Sequence, residues 1–271
     1  MWCACGDSTP PLPLPLKGRE ASEGFNAASA PATGRRMETP FNILVTGASR
    51  GIGKAIAAAL SGHKVVGHSS HGGDGLIAAD LDRPGAAERL WREALDRLDG
   101  RIDALVNNAG IFEAAPVDLP ADEWTAQWER TMRVNLTASA ELCRLAVLHF
   151  GEQGGGRIVN VASRAAYRGD SPQHWHYAAS KAGMIGMTKS IARGYAGENI
   201  LAFAVCPGFT ASEMIDDYMA SRGGQQIVAD IPLGRVATAD EVAETVRWLA
   251  VDAPPSATGA VIDVNGASYV R

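Results

Sequence analysis

Between Asn42 and Leu60 the chain carries a short apolar run, a turn with three glycines and an alanine-rich segment. Asn42-Ile43-Leu44-Val45-Thr46 reads as a buried strand, and residues 54–60 read as a helix. Thr46-Gly47-Ala48-Ser49-Arg50-Gly51-Ile52-Gly53 joins them. Glycine permits positive φ and close backbone approach, and a helix N-terminus favours an anion. A strand, a glycine turn and a helix start, in that order, make a phosphate cradle. They predict a dinucleotide site at Gly47, Ser49, Arg50, Gly51, Ile52 and Gly53.

The downstream pattern extends that unit into a sheet. Residues 64–67 read as a second strand ending at Ser69-Ser70-His71, with no acid at the tip. NAD-selective folds often place an acid there, against the ribose hydroxyls. Ser69, Ser70 and Arg50 suit a 2′-phosphate instead, so NADP is expected over NAD, with Asp74 the rival feature. A third strand, 76–79, follows with no room for a helix, an unusually short crossover if the two strands are parallel. Asp80-Leu81 closes it, either meeting the adenine edge or capping the amphipathic helix over 87–98. A strand at 103–106 ends in Asn107-Asn108-Ala109-Gly110, small enough to lie against a ribose and nicotinamide. A long helix over 124–150 breaks near Asn135, whose amide is either structural or marks a water-holding kink; Trp124, Trp128 and Met132 are packing residues. Further strands are read at 157–162, 200–205 and 261–264, a polar lid at 209–224, and a helix at 239–250 capped by Thr238 or Asp240. Alternating strands and helices predict an α/β fold: one doubly wound parallel sheet with helices on both faces.

The chemistry is expected at Tyr177-Ala178-Ala179-Ser180-Lys181. On a helix, Tyr177 and Lys181 share a face about 5–6 Å apart. A phenol titrates near pH ~10, and a fixed ammonium one turn away favours the phenolate. The expected result is a phenol that exchanges a proton with an alcohol or carbonyl near neutral pH. Ser163 lies just past a strand, and His174-Trp175-His176 in the intervening loop are candidate walls of a substrate pocket.

Composition removes other classes. The net charge is −5 with no long basic run, which argues against nucleic acid and anionic membrane surfaces as partners. No apolar run approaches the ~18–20 residues that span a bilayer. Cys3, Cys5, Cys143 and Cys206 form no C-x-x-C pair and no metal-ligand spacing. Cys143 and Cys206 read as reduced, buried thiols, and the protein as cytoplasmic. Residues 1–38, with Pro10-Pro11-Leu12-Pro13-Leu14-Pro15-Leu16, read as a disordered tail ahead of a catalytic domain over 39–271; Met37 is the expected functional start.

In order, Thr46-Gly47-x-x-x-Gly51-x-Gly53, Asn107-Asn108-Ala109-Gly110, Asn135, Ser163, Tyr177-x-x-x-Lys181 and Pro207-Gly208 resemble the short-chain dehydrogenase/reductase family, in the flavour of its 3-oxoacyl-carrier-protein reductases. The resemblance covers about 41–271 and implies a Rossmann-type fold. It implies Tyr177 as proton donor, Lys181 on the nicotinamide ribose, Ser163 on the substrate oxygen and Asn135 anchoring a water. Pro207, Gly208 and Ser212 would meet the nicotinamide end, and Asn108, Ala109 and Gly110 the ribose. The implied activity is NADP-dependent hydride transfer to a carbonyl or from a secondary alcohol, with a 3-oxoacyl thioester as one substrate class. The alternative is an idle cofactor-binding sensor or scaffold on the same fold. The implied assembly is a homotetramer or homodimer. The chain departs from the family in lacking a helix between its second and third strands, and in its 163–177 loop. It also lacks basic residues around 151–156 for an acidic carrier, leaving Arg193 as one candidate contact.

Overall fold

The computed structural model describes residues 40–211 and 228–271. Seven parallel strands lie in the order β3-β2-β1-β4-β5-β6-β7. They are β1 (Asn42–Val45), β2 (Lys64–Ser69), β3 (Ile77–Ala78), β4 (Ala104–Asn107), β5 (Gly156–Val161), β6 (Ile200–Pro207) and β7 (Val261–Val264). Helix α1 (Gly51–Ala59) follows β1, α2 (Ala86–Arg97) follows β3, and α3 (Ala121–Met132) and α4 (Ala138–Gln153) follow β4. A short α5 (Ala165–Arg168) and a long α6 (Trp175–Tyr195) join β5 to β6, and α7 (Ala239–Arg247) precedes β7.

The strand residues are apolar because both faces are covered, so side chains alternate between two cores. Ile43 and Val45 point into the layer holding Ile56, Phe203, Val246 and Leu249. Leu44 points into the layer holding Leu90, Trp91, Leu142 and Phe150. Cys143 and Cys206 are free and buried, and burial pushes both thiols up to about 12, so they behave as small hydrophobes.

Four local features differ from, or sharpen, the expectation. The third strand is only Ile77–Ala78, yet it pairs in parallel with His68 and Ser69. Residues 70–76 make the crossover without a helix because Gly72, Gly73, Asp74 and Gly75 all take positive φ, coiling the chain back within a few residues. The long helix is interrupted by a π-helical turn, Arg133–Thr137, with Asn135 at its centre. A second π-turn, Trp248–Asp252, ends α7 earlier than the helix expected to reach residue 250. Thr238 is the α7 cap: its hydroxyl accepts from Glu241 N–H while the Glu241 carboxylate accepts from Thr238 N–H.

Candidate active site

The order of strands reverses direction on either side of β1, so β1 and β4 part at their C-terminal ends. Open α/β sheets bind ligands at such a point. A cleft of about 1010 Å³ opens there. Its first end is the glycine turn, with Gly47, Ser49, Arg50, Gly51, Ile52 and Gly53 in the wall.

The turn is laced to β4. The Thr46 hydroxyl accepts from the N–H groups of Asn108 (2.9 Å) and Ala109 (3.0 Å). The Asn108 amide donates to the carbonyls of Thr46 (3.0 Å) and Gly47 (3.1 Å). A Cβ on Gly53 would stand 2.0 Å from the Gly47 oxygen, so this crossing of strand and helix admits only glycine. No acid occupies the first turn of α1, which leaves its positive end to the cleft. His68 adds a link that the sequence does not announce. Its Nδ1 accepts from Gly47 N–H (3.2 Å), so Nε2 carries the proton and donates to the Ala79 carbonyl (2.8 Å). Burial pushes this histidine's pKa down, in keeping with a neutral ring.

The same cleft is lined by Ser69, Ser70, Asp80 and Leu81. Ser69 is buried and donates to the Gly72 carbonyl at 3.1 Å; Ser70 is exposed and bonded to His71. Asp74 is absent from this wall and exposed, so the rival to NADP is not in the cleft. Asp80 does not cap α2, whose N-cap is Gly85. Its carboxylate instead accepts from Asp82 N–H at 3.1 Å and faces Arg83 at 3.4 Å, at the cleft rim. Arg50 is exposed and forms no ion pair among the described residues. These groups, together with the cradle that a Cβ would fill, fit a nicotinamide dinucleotide.

At the other end Ser163, Tyr177 and Lys181 share one wall, with Gly110, Pro207 and Gly208 between the two halves. Lys181 is buried; its Nζ donates to the Val161 carbonyl (2.8 Å) and lies 5.8 Å from the Tyr177 ring centre. Desolvation lowers its pKa to about 8. The phenol shifts opposite to expectation: burial raises Tyr177 to about 12, and the facing Ser163 hydroxyl only partly offsets this. The reason is distance. The ammonium is held on a backbone carbonyl rather than on the phenol, so desolvation outweighs its field.

Asn135 does not face the cleft. Its Oδ1 accepts from Ile111 N–H (2.8 Å) and its Nδ2 donates to the Ile111 carbonyl (3.0 Å) and towards Ser180 Oγ (3.3 Å). The amide thus pins the strand end beside Gly110 to α6. The cleft wall beside Tyr177 includes Phe112, to which the sequence did not point. Its ring lies edge-on to Tyr177 (4.8 Å between centres) and stacks on His174 (3.9 Å). His174 therefore stands behind the wall. His176 is buried against Trp128, and Trp175 is exposed against Trp124, so neither lines the cleft as the sequence suggested. Ser212, with residues 213–224 of the expected lid, lies outside the described residues.

Comparison with known proteins agrees with this geometry. A profile of the family described as enoyl-(acyl carrier protein) reductase matches residues 47–267. The chain is 38% identical to a 3-oxoacyl-[acyl-carrier-protein] reductase of Synechocystis sp., over 82% of this chain and 94% of that one. It is 34% identical to an acetoacetyl-CoA reductase of Rhizobium meliloti, over 83% and 97%. The ligand-free aldohexose dehydrogenase of Thermoplasma acidophilum superposes with a TM-score of 0.76 at 28% identity, covering 86% of this chain and 95% of that one. The cradle, the cleft and these matches together make the chain an oxidoreductase belonging to the short-chain dehydrogenase/reductase family.

Proposed function

We propose that the protein is an NADP-dependent carbonyl reductase, equally a secondary-alcohol dehydrogenase in reverse, with Tyr177 as the proton donor. The observation that carries this reading is the meeting of Ser163, Tyr177 and Lys181 in one wall of a cleft whose other end is a glycine turn built for phosphates. The cofactor would be held by Gly47–Gly53, with its 2′-phosphate near Arg50, Ser69 and Ser70, and would supply the hydride. A phenol near 12 is protonated throughout the physiological range, as a donor must be. Ser163 presents a hydroxyl to the substrate oxygen as charge develops there. Lys181 places a positive charge behind the phenol, stabilising the phenolate left by transfer. Asn135 acts by position, holding Ile111 and α6 in register. The relatives' names make 3-oxoacyl thioesters the first substrate class to try. A homo-oligomer is part of the proposal, carried by the resemblance to the family. The chemistry is assigned to the domain 39–271.

NADPH and NADH consumption across a panel of ketones and 3-oxoacyl thioesters tests the reading. The expected result is turnover with NADPH at least about tenfold more efficient than with NADH, since charge-assisted bonds to the 2′-phosphate are available only to the former. Preference for NADH would overturn the assignment of Arg50, Ser69 and Ser70.

A pH profile tests the lysine. Lys181 carries its charge below about 8 and loses it above. Because Tyr177 stays protonated far beyond that, kcat/KM for the cofactor, which reports the free enzyme, is expected to fall as pH rises through about 8. Lys181→Arg should move that limb upward, because a guanidinium keeps its charge. A profile flat to pH ~10 in the unmodified protein contradicts the role.

A further inference from the structure

Arg164 follows Ser163 directly and lines the same cleft as Ser163 and Tyr177. It is only 8% exposed, and its Nη1 is buried with no hydrogen-bond partner among the described residues. The guanidinium carbon lies over the Phe209 ring, 4.5 Å from its centre. That contact gives none of its N–H groups a hydrogen-bond acceptor. Arg164 makes no ion pair among the described residues, and neither does Arg168, one turn later in the same wall. The acids nearest in effect are Asp170 and Asp230, which also line the cleft and face Arg164 without pairing with it. A charge taken from water without a partner is costly, and proteins neutralise or pair such groups unless a ligand does so.

We propose that Arg164, with Arg168 beside it, receives a carboxylate of the substrate, so that the ketone reduced here is an oxo acid. The inference deepens the carbonyl-reductase reading and rests on it for the reaction. A planar fork with free N–H groups matches a carboxylate bidentately, as an ammonium would not. Its attachment next to Ser163 sets the acid group close to the carbon that accepts hydride. Burial and the like charge of Arg168 push the arginine's pKa down, and an incoming anion relieves both. The phosphate cradle is the glycine turn between β1 and α1, whereas Arg164 follows β5 directly after Ser163.

The test compares acetoacetate and 4-oxopentanoate with their methyl esters, using NADPH. The ratio of kcat/KM for acid over ester is expected to be large in the unmodified protein. In Arg164→Gln it should fall about a hundredfold, the usual scale for removing one partner of a buried charge pair. Arg168→Gln, at an exposed site, should lower it about fivefold, as a rim charge does. Thermal shift of the NADP-saturated protein by each acid gives a readout independent of turnover: stabilisation in the unmodified protein, lost in Arg164→Gln. Without ligand, Arg164→Met should melt no lower than the unmodified protein, because it removes an unpaired buried charge. An equal loss on acid and ester, a lower melting point for Arg164→Met, or weaker NADPH binding in Arg164→Gln would assign the arginine to structure or to a cofactor phosphate and overturn the proposal. Absence of turnover with any ketone, but acid stabilisation that depends on Arg164, would remove the reductase reading and leave the anion site standing.

Discussion

Tyr177→Phe should lower kcat for ketone reduction by about a thousandfold, in the range found for losing a positioned general acid, while NADPH affinity stays within about twofold. The asymmetry follows from what the substitution removes. A phenylalanine keeps the ring that lies edge-on to Phe112, and with it the local packing of the wall. It deletes only the hydroxyl that faces Ser163. Lys181 keeps its bond to the Val161 carbonyl, so the cofactor end is undisturbed. Groups acting as a unit are non-additive, so Lys181→Met combined with Tyr177→Phe should cost little more than Tyr177→Phe alone. Steady-state kinetics and fluorescence titration with NADPH give both numbers. A variant retaining a tenth of the normal kcat would refute the role of the phenol.

Gly53→Ala should be the most damaging single methyl that can be added to the cofactor end. The new Cβ would meet the Gly47 oxygen at 2.0 Å, the Gly47 carbonyl carbon at 2.8 Å and Asn108 Nδ2 at 2.5 Å. Two of these are backbone atoms, and the third is the amide that holds the turn by its bonds to Thr46 and Gly47. Relief therefore requires the turn to move and those bonds to break. The expected cost is about 3 kcal/mol, at the upper end of overpacking penalties. For a domain of this size that is a melting point lower by on the order of 10 °C. NADPH affinity should fall with it. Gly51→Ala is the informative contrast. Its Cβ would meet nothing within 4 Å, but its φ of +52° is left-handed, so only a conformational penalty of about 1–2 kcal/mol is expected. Equal melting points for the two variants would mean that the Gly53 crossing is not the tight contact described.

Much of this site is legible in the sequence because its signals are local. The glycine turn lies within one strand–helix unit, and Tyr177 and Lys181 lie one turn apart on one helix. The interruption at Asn135 was visible as a polar amide in an apolar stripe, and the π-turn stands there. The absence of a helix between β2 and β3 followed from counting residues, although the run of positive φ that makes so short a parallel crossover feasible did not.

The sequence by itself determined most of the succession of strands and helices along the chain, and it singled out the glycine turn, Ser163, Tyr177 and Lys181 as candidates, since those signals are local or lie in the family's motifs. The tertiary structure alone decided which groups are desolvated and which distant segments meet. It put Phe112 rather than the 174–176 loop against Tyr177, joined His68 to Gly47, and turned Asn135 onto Ile111. It also reversed the sign of the Tyr177 shift and left Arg164 buried with no partner on Nη1 among the described residues. Those outcomes depend on the balance between the cost of taking a charge or dipole from water and the partners found across the fold, and that balance exists only once residues far apart in the chain are packed together.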